Sequence, residues 1–551
     1  MYPKKELAHI VISACSQFKI DTVIISPGSR NAPLTIGFSN HPNFKTMSIV
    51  DERCAAFFAL GIAQQTQNPV AVVCTSGSAL LNYYPAIAEA FYSNIPLVII
   101  SADRPKHLID IGDGQTIRQE HVFQNHILYS ANLIEDTSKK ELNVNLTAEA
   151  LHVASSKKGP IHINVPFDEP LYETVEVMQE IQFPKITINS IKKTQIDFNG
   201  VFHTWSTSSK KMILVGAHCP DNELQEVIHK FTTDPSVIIL TETTSNLMSK
   251  NVVNSIDQLI FPFSDEEFEE HQPEVLVTFG GMIVSKKIKQ FLRKFQPNHH
   301  WHIDELKPMN TFHCLTEFIQ EKPSKFLSKL SVNNSVNSTY KQIWLTKKLD
   351  RSIRHKQYLK TIPFSDLKVF EQVLKRIPEN FQLQISNSSV IRYTQLFDID
   401  DSLHVYCNRG TSGIDGSTST AIGAAVAGKN KTVFLTGDLS FFYDSNALWN
   451  NYIPCSFRII IINNSGGGIF RFIPGPKTTN ALDYFETPHH LNAEQLCNMY
   501  QLSYVSVSNL SSLHHALNSF YEESNRPIIM EIFTDKKLNE GVLKEYFNNL
   551  K

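Results

Sequence analysis

Long apolar runs are absent from this 551-residue chain, and with them any stretch of the ~20 apolar residues that a membrane-spanning helix requires. The strongest run, Ile459 to Ile462, is closed by Asn463-Asn464 and reads as a buried strand. A surplus of either charge is also missing. Lys and Arg number 51 against 54 Asp and Glu, a net charge of −3, which argues against a protein living on the phosphate backbone of nucleic acid. Eight cysteines (Cys15, Cys54, Cys74, Cys219, Cys314, Cys407, Cys455, Cys497) include no C-x-x-C spacing, so neither a zinc cluster nor a thioredoxin-like motif is read and reduced thiols are expected. The first residues, Met1 to Glu6, enter an amphipathic pattern directly, with no apolar leader core; export is not expected, and a cytoplasmic location is. No G-x-G-x-x-G follows the first strand, which argues against a nucleotide-binding oxidoreductase.

What is present describes a globular chain with sizeable cores: 42% hydrophobic and 19% charged residues, at a length suited to about three or four domains. Leu7, Ile10, Val11, Ala14 and Phe18 mark one face of a helix. Strand and helix patterns then alternate: strand 22–25, strand 46–50, helix 55–65, strand 70–74, helix 80–92, strand 97–101, and a last strand at 162–165. Such alternation predicts βαβ units and a parallel sheet covered on both faces. A second α/β region starts at 212–216 and continues through 236–241 and 275–280. A polar, basic stretch near 335–365 is expected to be a linker or bridging helix, and a third region carries strands at 383–386, 405–408, 433–436, 459–462 and 528–533.

Residues 71–105 and 432–466 share one order of features: strand, Thr with Gly at the turn, a helix of about four turns, Ile-Pro, apolar strand. All βαβ units share part of this pattern, so chance similarity stays open beside duplication. The expected fold class is α/β, with three domains of parallel sheets flanked by helices (1–185, 186–350, 351–551), the first and third alike.

Gly437-Asp438 ends one strand and Asn463-Asn464 another, 26 residues separating Asp438 from Asn464. Ligands of parallel sheets bind beyond the carboxyl ends of the strands. A carboxylate and an amide oxygen there suit Mg²⁺, a backbone carbonyl near Gly466 could add an oxygen, and Gly466-Gly467-Gly468 lets the backbone approach a phosphate. The alternative is plain turn chemistry, since Asp and Asn after strands often cap the next helix. Glu52 follows a strand and precedes a helix; it reads either as a site carboxylate or as a helix-start carboxylate paired with Arg53.

Taken together these features resemble the thiamine diphosphate enzymes: the G-D…N-N spacing of their diphosphate–Mg²⁺ motif, Glu52 where they keep the glutamate facing the aminopyrimidine, and an order of pyrimidine-type, middle and diphosphate-type domains. Narrower segments occur in series: Ser26-Pro27-Gly28-Ser29-Arg30, Asp51-Glu52-Arg53, Cys74-Thr75-Ser76-Gly77, Ala102-Asp103-Arg104-Pro105, Gln115-Thr116-Ile117, Asn408 to Gly416, Gly437 to Ser440 and Asn463 to Phe470. They closely resemble the 2-succinyl-5-enolpyruvyl-6-hydroxy-3-cyclohexene-1-carboxylate synthases of menaquinone biosynthesis. The resemblance covers nearly the whole chain, more loosely over about 185–360.

This resemblance implies decarboxylation of 2-oxoglutarate and 1,4-addition of the resulting succinyl carbanion to isochorismate. It assigns Glu52 to the aminopyrimidine of thiamine diphosphate, Ile414 to the apolar support that bends the cofactor, and Gly437 to cofactor binding. Asp438, Asn464 and the Gly466 carbonyl become ligands of Mg²⁺ (Mn²⁺ being possible). Three substrate carboxylates demand converging cations, because burying anions unpaired costs many kcal/mol. The matching positions are Arg30, Arg392, Arg409 and Lys286, with Ser29, Ser388 and Gln115 as neutral hydrogen-bonding partners and Ile469, Phe470 and Ile473 as an apolar wall. Two departures are noted: Lys287 where relatives often carry Arg, and Gly114 where an Asn commonly precedes the glutamine. The implied assembly is a homodimer or homotetramer with active sites between subunits, without nucleic acid or membrane span. The rival reading is an acetolactate-synthase-like carboligase acting on another 2-oxo acid.

Overall fold

The computed structural model describes residues 1–184, 196–247, 249, 251–330, 336–473 and 475–551. Three parallel sheets organise them. The first holds strands Thr22–Ile25, Lys45–Ser48, Val70–Cys74, Leu97–Asp103, Ser130–Asn132 and Ile161–Pro166. The third holds Gln382–Ile385, His404–Cys407, Thr432–Gly437, Arg458–Asn463, Ser503–Val507 and Ile528–Phe533. Numbered in chain order within each sheet, both run 2-1-3-4-6-5 in space, with every pair parallel. The middle sheet (Lys211–Val215, Val237–Thr241, Val275–Phe279, His299–Ile303, Glu317–Ile319) runs 2-1-3-4-5, also parallel. An identical six-strand order in the first and third sheets supports duplication over chance.

The strands 22–25, 70–74 and 528–533 fall where hydrophobic patterning places them, because strands covered on both faces read as continuous apolar runs. Short strands at 130–132 and 317–319, and those at 299–303 and 503–507, carry too many polar residues to announce themselves. The polar stretch before the third sheet is a 22-residue bridging helix, Tyr340–Thr361.

Two expectations are corrected. The helix predicted over 80–92 is two helices, Ala79–Asn82 and Tyr84–Ser93, broken at Tyr83 where Pro85 opens the second turn and has no backbone N–H to continue the first. Its counterpart in the third domain is only six residues, Asp438–Tyr443, followed by a 3₁₀ turn at Ser445–Leu448. The repeat therefore lies in the sheets and not in these helices.

The first and third sheets meet through two helices, Glu52–Thr66 and Ser417–Ala427, both buried over nearly all faces. They cross at Gly61 and Gly423: a Cβ on Gly61 would lie 2.1 Å from the Thr420 carbonyl oxygen, and one on Gly423 would lie 2.0 Å from that of Phe58. Backbone thus packs on backbone, and one apolar cluster runs from Val72 and Ile99 through Phe58, Ala421 and Ile422 to Phe434 and Ile461. Glu52 precedes Gly61 by nine residues, and Ile414 precedes Gly423 by nine. The crossing therefore sets Glu52 at the start of one paired helix and Ile414 three residues before the other.

Candidate active site

At the carboxyl edge of the third sheet, Asp438 is 3% exposed. Its Oδ1 accepts the Leu439 N–H at 2.7 Å and its Oδ2 the Gly466 N–H at 2.9 Å. His489 Nε2 stands 3.3 Å from the same Oδ2. Asn464 donates from Nδ2 to Asp366 at 3.0 Å, while its Oδ1 is buried with no hydrogen-bond partner. An orphaned acceptor beside a carboxylate is the arrangement a hard cation satisfies, since an unpaired buried acceptor otherwise costs about 1–3 kcal/mol. Gly466 has φ +140, and a Cβ there would sit 2.5 Å from the Glu486 carbonyl oxygen, so only glycine brings its backbone into this corner. A Cβ on Gly437 would lie 3.6 Å from Val390, in ordinary contact. Among the described residues no group of three or more His, Cys, Asp and Glu side chains gathers as a metal site. The candidate donors are the Asp438 carboxylate and the Asn464 amide oxygen, while the Gly466 carbonyl accepts the Gly468 N–H at 3.0 Å.

The strip beyond Asn464 forms a wall. Ile469 and Phe470 lie on the 3₁₀ turn Gly468–Arg471, Phe470 packs on Phe485 with ring centroids 5.2 Å apart, and half-buried Ile473 follows. Arg471 clamps Glu486 with two hydrogen bonds, and Lys536 reaches the same carboxylate at 3.4 Å.

On the same sheet edge, Ser388 holds φ +70, a strained value for a side chain other than glycine. The neighbouring Asn387 stabilises the turn. It donates to the Asn408 and Gly413 carbonyls at 2.7 Å each and accepts from Arg409 at 2.7 Å. Arg409 is buried, with its Nε unpartnered. Its loop is anchored from the first domain by Glu89, which accepts the N–H groups of Gly410 and Thr411 at 2.7 Å each and the Thr411 hydroxyl at 2.9 Å. The Ile414 carbonyl accepts the Ser440 hydroxyl at 3.0 Å.

The middle domain brings Lys286, exposed, at the first position of the helix Lys286–Lys294. The turn before it is held by Glu242, which accepts the N–H groups of Val284 and Ser285 at 2.6 and 2.7 Å, and by Asp257, which accepts the Ser285 hydroxyl. Burial pushes Glu242 up to about 7 against the Val284 and Ser285 N–H bonds and, more weakly, Arg409; burial likewise raises Asp257, against the Ser285 hydroxyl and then Arg392. Arg392 is depressed by burial and by the charge of Arg409, and Lys289 by burial, with both arginines adding to it. Three cations thus crowd against two carboxylates in a poorly hydrated corner.

The remaining predicted residues stand on the first sheet. Ser29 is exposed beyond the first strand. Arg30 is 4% exposed, donates to the Phe167 carbonyl at 2.8 Å, pairs with Glu169 at 3.2 Å and leaves Nε unpartnered. Asp51 caps the helix beginning at Glu52, whose partly exposed carboxylate accepts from Asn82 at 3.3 Å. Arg53 turns instead to the third domain, bonding the Tyr443 carbonyl at 3.0 Å and lying 3.8 Å from Asp444. The alternative pairing of Glu52 with Arg53 is therefore not formed. Gln115, at φ +55, packs its backbone on Gly77, whose N–H is taken by Gln119 at 2.9 Å.

The structure thus gathers Ser388, Arg392, Arg409, Ile414, Gly437, Asp438, Asn464, Gly466, Ile469, Phe470 and Ile473 along one sheet edge with Lys286 nearby, and holds Ser29, Arg30, Glu52 and Gln115 on the other. Lys287 places its ammonium 5.5 Å from the ring centres of both Phe261 and Phe268. A Cβ on Gly114 would meet nothing within 4 Å. Asn82, Glu89, Glu242, Asp257, Asp366 and His489 carry no motif, and their chemistry became visible only in three dimensions.

Comparison with known proteins agrees with this geometry. Residues 5–132 match the thiamine pyrophosphate enzyme N-terminal binding domain, 188–385 the middle domain of such enzymes, and 387–532 the C-terminal binding domain. The chain is similar over its full length to 2-succinyl-5-enolpyruvyl-6-hydroxy-3-cyclohexene-1-carboxylate synthases of Flavobacterium johnsoniae (56% identical, all of both chains), Flavobacterium psychrophilum (54%, all of both) and Bacteroides thetaiotaomicron (37%, all of both). With two sheets of one topology, three matching domains and full-length likeness of this degree, the chain belongs to the 2-succinyl-5-enolpyruvyl-6-hydroxy-3-cyclohexene-1-carboxylate synthase family of thiamine pyrophosphate enzymes.

Proposed function

We propose that this enzyme decarboxylates 2-oxoglutarate and transfers the four-carbon remainder to isochorismate by 1,4-addition, in menaquinone biosynthesis. Thiamine diphosphate, when bound, supplies the electron sink for both steps. Asp438, Asn464 and the Gly466 carbonyl would hold Mg²⁺, or Mn²⁺ in its place, and anchor the diphosphate beside Gly437. Ile414 would support the cofactor rings, and the Glu52 carboxyl would exchange a proton with the aminopyrimidine nitrogen. Arg392, Arg409 and Lys286, with Arg30 from the other sheet, would bind the substrate carboxylates, while Ser29, Gln115 and Ser388 orient them and Ile469, Phe470 and Ile473 exclude water.

The observation carrying this reading is the convergence of three cations, buried Arg409 with half-buried Arg392 and Lys289, on one corner with Glu242 and Asp257. Such a gathering of cations suits polycarboxylate substrates; the small monocarboxylates of acetolactate-synthase-like enzymes would not need it. The test is 2-oxoglutarate consumption with each component omitted in turn. We expect turnover to stop without isochorismate, Mg²⁺ or thiamine diphosphate. A yellow purified protein that prefers pyruvate would overturn the reading in favour of the acetolactate-type alternative.

The proposed location is the cytoplasm; among the described residues no helix is long and apolar enough to cross a membrane. The proposed assembly is a homodimer or homotetramer with each site completed across subunits. It is supported by the placement of Glu52 and Asp438 on separate sheets and by two exposed aromatics, Tyr443 at the end of the Asp438 helix and Trp449 after it.

A further inference from the structure

Asn464 has a side chain with two chemically opposite ends, and only one of them can face a cation. Its Oδ1 is an acceptor; its Nδ2 carries two hydrogens with partial positive charge. A half-turn of the amide costs little in shape, yet it would present those hydrogens to the metal and reverse the sign of the interaction. Something must therefore decide which end points into the Asp438–Gly466 corner.

In this structure that decision falls to Asp366. Its Oδ2 accepts from Asn464 Nδ2 at 3.0 Å, which turns the orphaned Oδ1 away from it. Asp366 is itself fixed. Its Oδ1 accepts the Thr534 hydroxyl at 2.6 Å, and its backbone N–H donates to Asn539 at 2.8 Å. Asn539 also donates to the Thr534 hydroxyl at 3.1 Å, so the three residues form one closed set behind the amide. Asp366 is 2% exposed and stands 98 residues before Asn464, at the first position of the helix Asp366–Leu374.

We infer that Asp366 is a positioning residue that locks the amide of Asn464 in the one orientation able to bind a divalent cation. This rests on the proposed metal site. A carboxylate suits the task because it accepts and never donates when ionised, so the flipped amide would set Oδ1 against a carboxylate oxygen and gain no bond. Partners that orient a metal ligand in this way typically contribute 10- to 100-fold in metal affinity.

The test is a Mn²⁺ titration of the full chain with thiamine diphosphate present, followed by electron paramagnetic resonance, with melting of the metal-free protein as a fold control. Asp366→Asn should raise the Mn²⁺ dissociation constant about 10- to 100-fold while the metal-free protein stays folded. The exchanged pair, D366N with N464D, should restore most of that affinity. There the amide donates to one oxygen of the new carboxylate and the other oxygen faces the cation whichever way the group turns. A purely structural role for Asp366 predicts the reverse, because the exchange adds a second change to the first. Wild-type affinity in D366N beside weakened binding in N464A would overturn the inference and leave the metal site standing. Unchanged binding in N464A would remove the metal site itself. If D366N fails to fold, the exchanged pair carries the test alone, and loss of Mn²⁺ binding by that folded pair overturns the lock.

Discussion

At the scale of single residues, two buried carboxylates, Glu89 and Glu242, organise the candidate site by holding backbone. Glu89 and Glu242 each accept two backbone N–H groups from a loop that bears a candidate substrate-binding cation. Their effect is to fix Arg409 and Lys286 by holding backbone, a stiffer arrangement than a contact between two long side chains. Glu242 gives a pH signature. Burial lifts it from the ordinary 4.5 to about 7, so the folded chain retains a proton that the unfolded chain has released. Its contribution favours folding below about pH 4.5 and fades as pH rises towards about 7. We expect the melting-temperature difference between wild type and Glu242→Gln to shrink across that window, because the amide does not titrate. A gap independent of pH would show that Glu242 does not ionise there.

At the scale of elements, the crossing of Glu52–Thr66 with Ser417–Ala427 joins the two cofactor-type domains. Periodicity identified the first of these helices but not its partner, and its apolar residues on every side are explained by a second domain packed against it. The contact leaves no room for a methyl group. Gly61→Ala and Gly423→Ala should each cost about 1–3 kcal/mol, read as a lower denaturation midpoint, because backbone carbonyl atoms must move to admit the new Cβ. Full retention of stability in both would mean that the crossing opens freely. The same scale shows where pattern reading stopped. Hydrophobic spacing over 80–92 is helical, but a proline inside it splits the element, and the polar edge strands at 130–132 and 503–507 lacked the apolar run that marks the central ones.

At the scale of the molecule, each chain carries both halves of a cofactor grip on separate sheets. If the functional site forms between chains, two inactive variants must complement each other. Glu52→Gln and Asp438→Asn, each expected to lose nearly all turnover, should recover about a quarter of wild-type activity when mixed with subunit exchange. Half the dimers would then be mixed, each holding one intact site. No recovery, with mixed dimers demonstrated, would place the whole site within one chain. Light scattering of the same samples measures the assembly.

Most of the strands and the carboxylate and amides at their ends were legible in the residues themselves, because periodicity and turn chemistry act over a few positions; the candidate cations came from the family resemblance. Comparison with relatives then established the family. What folding alone decided is which polar groups face one another: Asp366 and Asn464 across 98 residues, Glu89 and Gly410 across 321. Local sequence is silent on such pairs. A carboxylate at a helix start looks the same whether it caps a turn or orients a metal ligand, and only packing, which sets distance and excludes water, separates the two.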